Sequence, residues 1–202
     1  MDMVHGVYLA ENLLGAPVSA VSAFVDSATD GDAVEGLALC RLEAGRQVGM
    51  VNIGWGLGPG GVTVNGTKGR AVARYREEGT MPWAPFELLT VTTAEGTRAV
   101  DLPVGQELAP LVADAMRDTV VDLADAIAAK RTPAADGAAA LHTLETTVAA
   151  YASAALGRTV TVPLPTDGPL HATGVIGLRA LDVPESSAVR RRGLFGLTPA
   201  GA

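Results

Sequence analysis

The fold of this chain is indicated first by a hairpin-like stretch, Val34-Glu-Gly-Leu-Ala-Leu-Cys-Arg-Leu-Glu43, then Ala44-Gly45-Arg46, then Gln47-Val-Gly-Met-Val-Asn-Ile-Gly-Trp55. Both arms have strand character, and Gly45 can adopt the positive φ of a short turn between them. Similar segments recur at residues 18–25, 62–65, 70–76, 86–93 and 97–102. Because short turns join most of them, they predict a mainly antiparallel sheet of six or seven strands.

Two helical segments follow these strands. Residues 108–130 carry apolar side chains at helical spacing, namely Val112, Met116, Val120, Leu123 and Ile127. A further helix ends at Gly157, and its side chains predicted to face inward are Leu141, Leu144, Val148, Tyr151 and Ala155. Strands followed by helices, rather than alternating with them, predict an α+β fold: an open sheet with helices on one face. If the other face is apolar, a second copy of the chain is its most common partner.

The division of the chain is predicted from where the periodicity stops. Residues 159–162 read as one last strand, so we expect a first domain over 1–163. From residue 164 onward the regular spacing of apolar residues is lost, and proline and glycine become more frequent. This composition predicts an edge extension with a strand over 175–183, and a flexible tail over 185–202 that includes Arg190, Arg191 and Arg192.

Composition excludes several classes of protein. A formal net charge of −7 argues against a nucleic-acid surface. The single Cys40 rules out an internal disulfide and suits a reducing compartment, where it would act as a small buried hydrophobe. The sequence has no apolar run near the roughly 18–20 residues that span a bilayer. Its start lacks the features of an export signal. We therefore expect a cytoplasmic protein that does not bind membranes.

The residues most suggestive of chemistry lie at the start, Asp2-Met-Val-His5-Gly-Val-Tyr8-Leu-Ala-Glu-Asn12-Leu-Leu-Gly15. They predict a helix that ends at Gly15, with Met3, Val7, Ala10 and Leu14 facing the core. The opposite face would carry Asp2, His5, Tyr8 and Asn12, three or four residues apart. A carboxylate that orients an imidazole is suited to proton transfer near neutral pH. The alternative is that Asp2 and His5 only cap and solvate the helix start.

Other candidates carry weaker signals. Trp55 stands in the glycine-rich stretch 54–61, where it could stack on a sugar ring, cover an active site or simply close the sheet edge. The acidic residues of the 108–130 helix predict a solvated face rather than a metal site; they are Asp114, Asp118, Asp122 and Asp125. His142 is predicted to be a partly buried structural histidine. We expect no metal site in the chain.

The order of several short motifs resembles a known family. In this respect the chain is similar to the C-terminal domain of the glucose–fructose oxidoreductase, inositol dehydrogenase and MocA family of NAD(P)-dependent dehydrogenases. The matching segments span about four fifths of the chain; they are His5 with Gly15 ten residues later, Ala38-Leu-Cys-Arg-Leu-Glu-Ala-Gly45, Asn65-Gly-Thr-Lys-Gly69, Asp125-Ala-Ile-Ala-Ala-Lys-Arg-Thr-Pro133 and Tyr151-Ala-Ser-Ala-Ala-Leu-Gly-Arg-Thr-Val-Thr-Val-Pro163.

This resemblance implies a set of roles. His5 would exchange a proton with a substrate hydroxyl, and Asp2 would support it, although the family usually places this acid four rather than three residues earlier. Tyr8, Asn12 and Trp55 would contact a sugar-like or polyol substrate. The cofactor would be NAD or NADP. The chain would then be the catalytic, substrate-binding and oligomerisation domain of a sugar- or cyclitol-type oxidoreductase.

The family's cofactor domain is missing from this sequence. The glycines of 54–61 follow a strand but open no helix, so they do not form a dinucleotide fingerprint. The sequence therefore predicts no cofactor-binding residues and no activity from this chain alone, and it favours a homo-oligomer, with a separate Rossmann-domain chain as a further partner. The alternative function is a non-catalytic binding or scaffold domain that self-associates through its sheet.

Overall fold

A computed structural model describes residues 3–27, 34–54, 60–75, 86–102 and 108–197. Its strands are β1 (Ala20–Asp26), β2 (Leu37–Ala44), β3 (Gln47–Gly54), β4 (Gly61–Gly66), β5 (Gly69–Tyr75), β6 (Phe86–Thr93), β7 (Gly96–Ala99) and β8 (Val160–Thr161). Its α-helices are α1 (Met3–Leu14), α2 (Leu108–Ala129), α3 (Gly137–Leu156), α4 (Pro169–Thr173) and α5 (Ala188–Arg191). Short 3₁₀ helices cover Gly174–Ala180 and Leu194–Gly196.

The chain divides into two compact units. The first unit comprises Met1–Trp55 and Gly137–Ala202, so it is built from the two ends of the sequence. The second unit is Gly56–Asp136. Within the residues that the structure describes, the strands form two four-stranded sheets, whereas the sequence predicted one. The α+β class and the antiparallel pairing are confirmed.

The first unit has a sheet in the order β3-β2-β1-β8 with a helical layer on one face. Helix α3 packs against β1, and α1 packs against β3 and α3. The β2–β3 turn uses Gly45 at φ 59°, as predicted. Alternate strand residues point into the core, which contains Val21, Val25, Cys40, Leu42 and Val51.

The second unit has a sheet in the order β4-β5-β6-β7 and the long helix α2. Its only fully buried hydrophobic side chain among the described residues is Ala126. Tyr75 and Phe86 stack with ring centroids 4.7 Å apart across the β5–β6 pair. The apolar positions of α2 are exposed, with Ile127 71% accessible. The helical period of α2 is therefore present, but its apolar stripe does not form a core.

The C-terminal segment corrects two predictions. Residues 175–183 form no edge strand, because Gly174–Ala180 is a 3₁₀ helix. The segment after residue 185 is packed rather than free up to residue 197, since Val189 and Leu194 are completely buried and Phe195 contacts the Tyr151 ring edge-on. The arginine run contributes to this packing. Arg190 donates to the Val183 carbonyl (2.6 Å), and Arg192 donates to Asp26 (3.2 Å).

Helix α3 corrects one further prediction. Val148, Tyr151 and Ala155 are buried, as expected, but Leu141 and Leu144 are exposed. These two leucines lie in the first turns of α3, before the continuous buried stretch that begins at Glu145. Within the described residues, no helix is both long enough and apolar enough to cross a membrane.

Candidate functional site

The candidate site is built on helix α1, and glycines bring this helix close to the sheet. A Cβ at Gly6 would lie 2.9 Å from both Val51 and Ile53 of β3. A Cβ at Gly49 would lie 3.2 Å from Leu14 of α1. Met3 and Val7 are completely buried beneath the helix, as the sequence predicted. The position of α1 is therefore set by close packing along its inner face.

The outer face of α1 carries the predicted chemistry. His5, Tyr8 and Asn12 are all exposed on this one side of the helix. The Asn12 side-chain amide donates to the Tyr8 carbonyl (2.8 Å), one helical turn earlier. Asp2 and Trp55 lie outside the described residues, so the Asp2–His5 pairing and the placement of the Trp55 side chain stay predictions. What the fold brings together is an imidazole, a phenol and an amide on an accessible surface.

A second polar group on α1 was not identified from the sequence. Glu11 lies on the flank of the helix and accepts hydrogen bonds from the hydroxyls of Thr143 (2.6 Å) and Thr146 (2.8 Å) on α3. The Nε2 atom of His142 lies 3.5 Å from the same carboxylate. A visible signal was the polar run His142-Thr-Leu-Glu-Thr-Thr147 in an otherwise alanine- and leucine-rich helix.

The Glu11 contacts fix α1 against α3. Hydrogen bonds to a charged acceptor are stronger than those between neutral groups, and Glu11 makes two of them across a partly buried interface. They resist both sliding and rotation of α1, because the two threonines stand nearly one helical turn apart on α3. Glu11, Thr143 and Thr146, the Glu11 cluster, therefore hold the helix that presents His5. His142 is partly buried, as the sequence predicted.

Two other reactive side chains serve the core. Cys40 is buried and donates to the Met3 sulfur (3.3 Å), and burial raises the pKa of its thiol to about 12. Ser153 is buried and accepts the backbone N–H of Ala23 (2.9 Å), which ties α3 to β1. Neither group is suited to nucleophilic chemistry, because the thiol stays protonated and the hydroxyl is used in packing.

The two described sheets do not have the architecture of a Rossmann dinucleotide-binding domain. Both sheets are antiparallel, whereas a dinucleotide binds at the carboxyl ends of parallel strands beside a helix N-terminus. Among the residues described, no group of three or more histidine, cysteine or acidic side chains could hold a metal ion. The α2 carboxylates instead contact basic side chains; Asp114 binds Arg117, and Asp122 binds Arg131.

Comparison with known proteins gives a consistent result. The model of the glucose–fructose oxidoreductase, inositol dehydrogenase and MocA family, described as "Oxidoreductase family, C-terminal alpha/beta domain", matches residues 1–162. No curated protein matches the sequence.

Two solved structures illustrate the similarity of fold. The first is an oxidoreductase from Agrobacterium radiobacter in complex with NAD+, L-tartaric acid and magnesium (21% identity, TM-score 0.63), which aligns with 79% of this chain and 47% of its own. The second is the WlbA dehydrogenase from Bordetella pertussis in complex with NADH and UDP-GlcNAcA (20% identity, TM-score 0.56), which aligns with 81% of this chain and 44% of its own. This chain spans less than half the length of either protein.

Proposed function

The chain belongs to the glucose–fructose oxidoreductase, inositol dehydrogenase and MocA family, through its C-terminal α/β domain, and from this premise we propose that it supplies the substrate-binding and proton-transferring half of an NAD(P)-dependent oxidoreductase. The substrate would be a sugar-like or polyol alcohol. The observation that carries the proposal is the presentation of His5 with Tyr8 and Asn12 on the accessible face of a rigidly held helix.

The proposed chemistry of this chain is proton transfer. Oxidation of an alcohol requires removal of the hydroxyl proton, and an imidazole can take that proton or return it in the reverse direction. The hydride chemistry belongs to a bound nicotinamide cofactor. Because both described sheets are antiparallel, the cofactor would be held by a separate Rossmann domain, either in the same protein or in a partner chain. Tyr8 and Asn12 would hydrogen-bond to further substrate hydroxyls.

The first experiment looks for the missing domain. The coding DNA around this sequence is read for a strand–GxGxxG–helix unit, and that domain is then produced together with this chain. We expect a mixture of the two to reduce NAD or NADP with a sugar, cyclitol or hydroxy acid, and we expect this chain alone to bind no dinucleotide. Submillimolar binding of NAD(P) by this chain alone would contradict the proposed division of labour.

A substitution then tests His5 itself. In the reconstituted enzyme, His5→Gln removes the acid/base group and is expected to lower kcat about 10²–10⁴-fold. Leu13→Gln, on the exposed side of the same helix, is the control and should leave kcat unchanged. Circular dichroism checks that both variants fold. Full turnover by the His5 variant would remove this residue from the mechanism.

The open face of the first-unit sheet supports a second element of the proposal, which is self-association. Phe24 and Leu39 are directly paired across β1 and β2 on this face, and both are exposed. Val48 and Met50 of β3 share it, and Met50 is 71% accessible. We propose that a second copy of the chain covers these side chains, because apolar patches of this kind are common sites of subunit contact.

Sedimentation velocity tests this element separately. We expect a concentration-dependent oligomer for the native chain and a monomer for Met50→Arg, while Met116→Arg on α2 serves as a control that keeps the oligomer. An enzyme that is inactive with every Rossmann partner, but that still self-associates through this face, would favour the scaffold function instead.

A further inference from the structure

The imidazole of His142 has no part in the proton transfer proposed above. His142 lies on α3, directly before Thr143, whose hydroxyl donates to Glu11 of α1. Its Nε2 atom is buried and, within the part of the chain that the structure describes, has no hydrogen-bond partner. The Glu11 Oε1 atom lies 3.5 Å away. This distance exceeds the about 2.9 Å of a typical N–H···O bond, so the two atoms are close but not hydrogen-bonded.

The surroundings of Nε2 determine which form of the His142 ring is stable. Glu11 already accepts a hydrogen bond at each of its two oxygens, from the hydroxyls of Thr143 and Thr146. A ring nitrogen without a proton is an acceptor as well, and two acceptors that face each other repel. Water screens this repulsion poorly, because the Glu11 side chain is only 11% accessible. The contact therefore requires a proton on Nε2, which both the imidazolium ion and one of the two neutral tautomers carry.

This proton gives His142 a role toward helix α1. We propose that His142 is a positioning residue for proton transfer at His5, and that it acts through Glu11. Its Nε2–H group attracts the Glu11 carboxylate and supplements the two hydroxyl donors of the Glu11 cluster, since interactions of an N–H with a charged acceptor are strong. The inference rests on the proposed function, because the role of His5 does.

The geometry of a helix explains how a contact at Glu11 affects His5. Both residues belong to α1, and they lie about 9 Å apart along its axis, since each residue adds about 1.5 Å. Side chains reach about 5–6 Å from a helix axis, so a rotation of about 10° moves their ends by about 1 Å. A displacement of about 1 Å can slow a catalysed step about 100-fold. Restraint of α1 at Glu11 therefore fixes where the His5 imidazole meets a substrate hydroxyl.

The first experiment determines which nitrogen of His142 carries a proton in this chain alone. Long-range ¹H–¹⁵N correlation NMR near neutral pH distinguishes the two neutral tautomers and the imidazolium ion. We expect a proton on Nε2. A ring protonated at Nδ1 alone would overturn the proposal, because Nε2 could then not donate to Glu11. This measurement uses the native chain and so does not depend on any variant folding.

Two substitutions then test whether the donor restrains α1. His142→Gln keeps an N–H donor, whereas His142→Phe keeps a ring and has no donor. We expect the α1 amides to exchange hydrogen about tenfold faster in the Phe variant and at nearly the native rate in the Gln variant. His171→Phe is the matched control, because the His171 ring lies beside Glu145 and not Glu11. Native exchange of α1 in His142→Phe would overturn the proposal.

The reconstituted enzyme shows whether this restraint affects turnover. We expect His142→Phe to lower kcat about tenfold and to leave KM within about twofold, and we expect His142→Gln to restore kcat. Native kcat in the Phe variant would refute the positioning role. Failure of the proposed function is distinguished by His5 itself. If His5→Gln keeps full turnover while α1 exchange still responds to His142→Phe, the proton-transfer role is wrong and only the contact between the two helices stands.

Discussion

The first and second units differ in what their helices do for their sheets. In the first unit, α3 covers β1 and buries almost the whole length from Glu145 to Ala155. In the second unit, α2 is the longer helix and has a regular apolar period, yet Met116, Val120 and Ile127 are all more than 60% exposed. In the sequence, both segments carry apolar residues at helical spacing, and both are predicted equally well as helices that bury one face. Burial is therefore decided by the surface that a helix meets and not by its own periodicity.

The polar contacts of the units differ in the same way. The first unit joins distant segments through hydrogen bonds at buried or partly buried places, such as Ser153 with Ala23 and Glu11 with Thr143. The second unit has short-range ion pairs at exposed places, such as Arg117 with Asp114. Exposed pairs contribute little to stability. We therefore expect the first unit to be far more sensitive to substitution.

The largest difference in unfolding free energy is expected between the variants Tyr151→Ala and Met116→Ala. Tyr151→Ala empties a fully buried site, breaks the hydrogen bond to Glu35 and removes the contact with Phe195, so it should destabilise the first unit by about 3–5 kcal/mol. Met116→Ala removes an exposed side chain of α2 and should cost less than about 0.5 kcal/mol. Urea unfolding followed by circular dichroism measures both. Similar losses in the two variants would contradict the contrast between the units.

The next-largest loss of stability is expected at the Glu11 cluster. Replacing both Thr143 and Thr146 by valine leaves the Glu11 carboxylate without its two hydroxyl donors, and should destabilise the first unit by about 1–3 kcal/mol. Thr147→Val is the matched control, because the Thr147 hydroxyl donates only to the Thr143 carbonyl of its own helix. The same unfolding experiment applies. A control variant as unstable as the double variant would show that the loss comes from α3 itself.

Cys40 makes the stability of the first unit depend on pH in the alkaline range. Burial raises the pKa of this thiol from 9.0 to about 12, so the folded state favours the protonated form. The resulting stability is complete below pH 9 and is lost as the pH rises from 9.0 towards 12, by about 1 kcal/mol per pH unit.

Cys40→Ala provides the comparison for this effect. Its unfolding free energy should decline less steeply with alkaline pH than that of the native chain. If the free-energy difference between the two proteins stays constant from neutral to alkaline pH, the thiol does not titrate as proposed.

The smallest expected effect lies in the second unit. The backbone N–H of Ala134 (2.7 Å) and the Arg131 guanidinium (2.6 Å) both donate to Asp122, and together they lower the pKa of its carboxyl group. The contribution to stability is present above the ordinary range of an aspartate and is lost as the pH falls through the lowered pKa. Asp122→Asn should speed hydrogen exchange of the Ala134 amide. Asp125→Asn, on the exposed surface of α2, should leave that exchange rate unchanged.

The sequence predicted local structure better than it predicted assembly. The β2–β3 hairpin and the end of α1 follow from turn glycines and apolar spacing, and these are local signals. The division into two sheets depends on which strands meet in space. No pattern within a single strand encodes that choice. The packed C-terminal segment was missed because Val189 and Leu194 are isolated apolar residues with no period around them.

For the site, the sequence identified the face of α1 but not its support. His5, Tyr8 and Asn12 are recognisable from helical spacing. Glu11 was missed because its partners Thr143 and Thr146 lie more than 130 residues away. The exposure of Leu141 and Leu144 was also missed, since whether the first turns of α3 are covered depends on where the C-terminal segment packs.

The construction of the first unit from both ends of the chain has a consequence for synthesis on the ribosome. Strands β1 to β3 emerge before the second unit, but α3, which covers their apolar face, emerges only after the entire second unit has been translated. During that interval the nascent hairpin exposes Val21, Cys40 and Leu42 to solvent. A chaperone that shields short apolar strands would be most useful to this protein at that stage, before its late helix arrives.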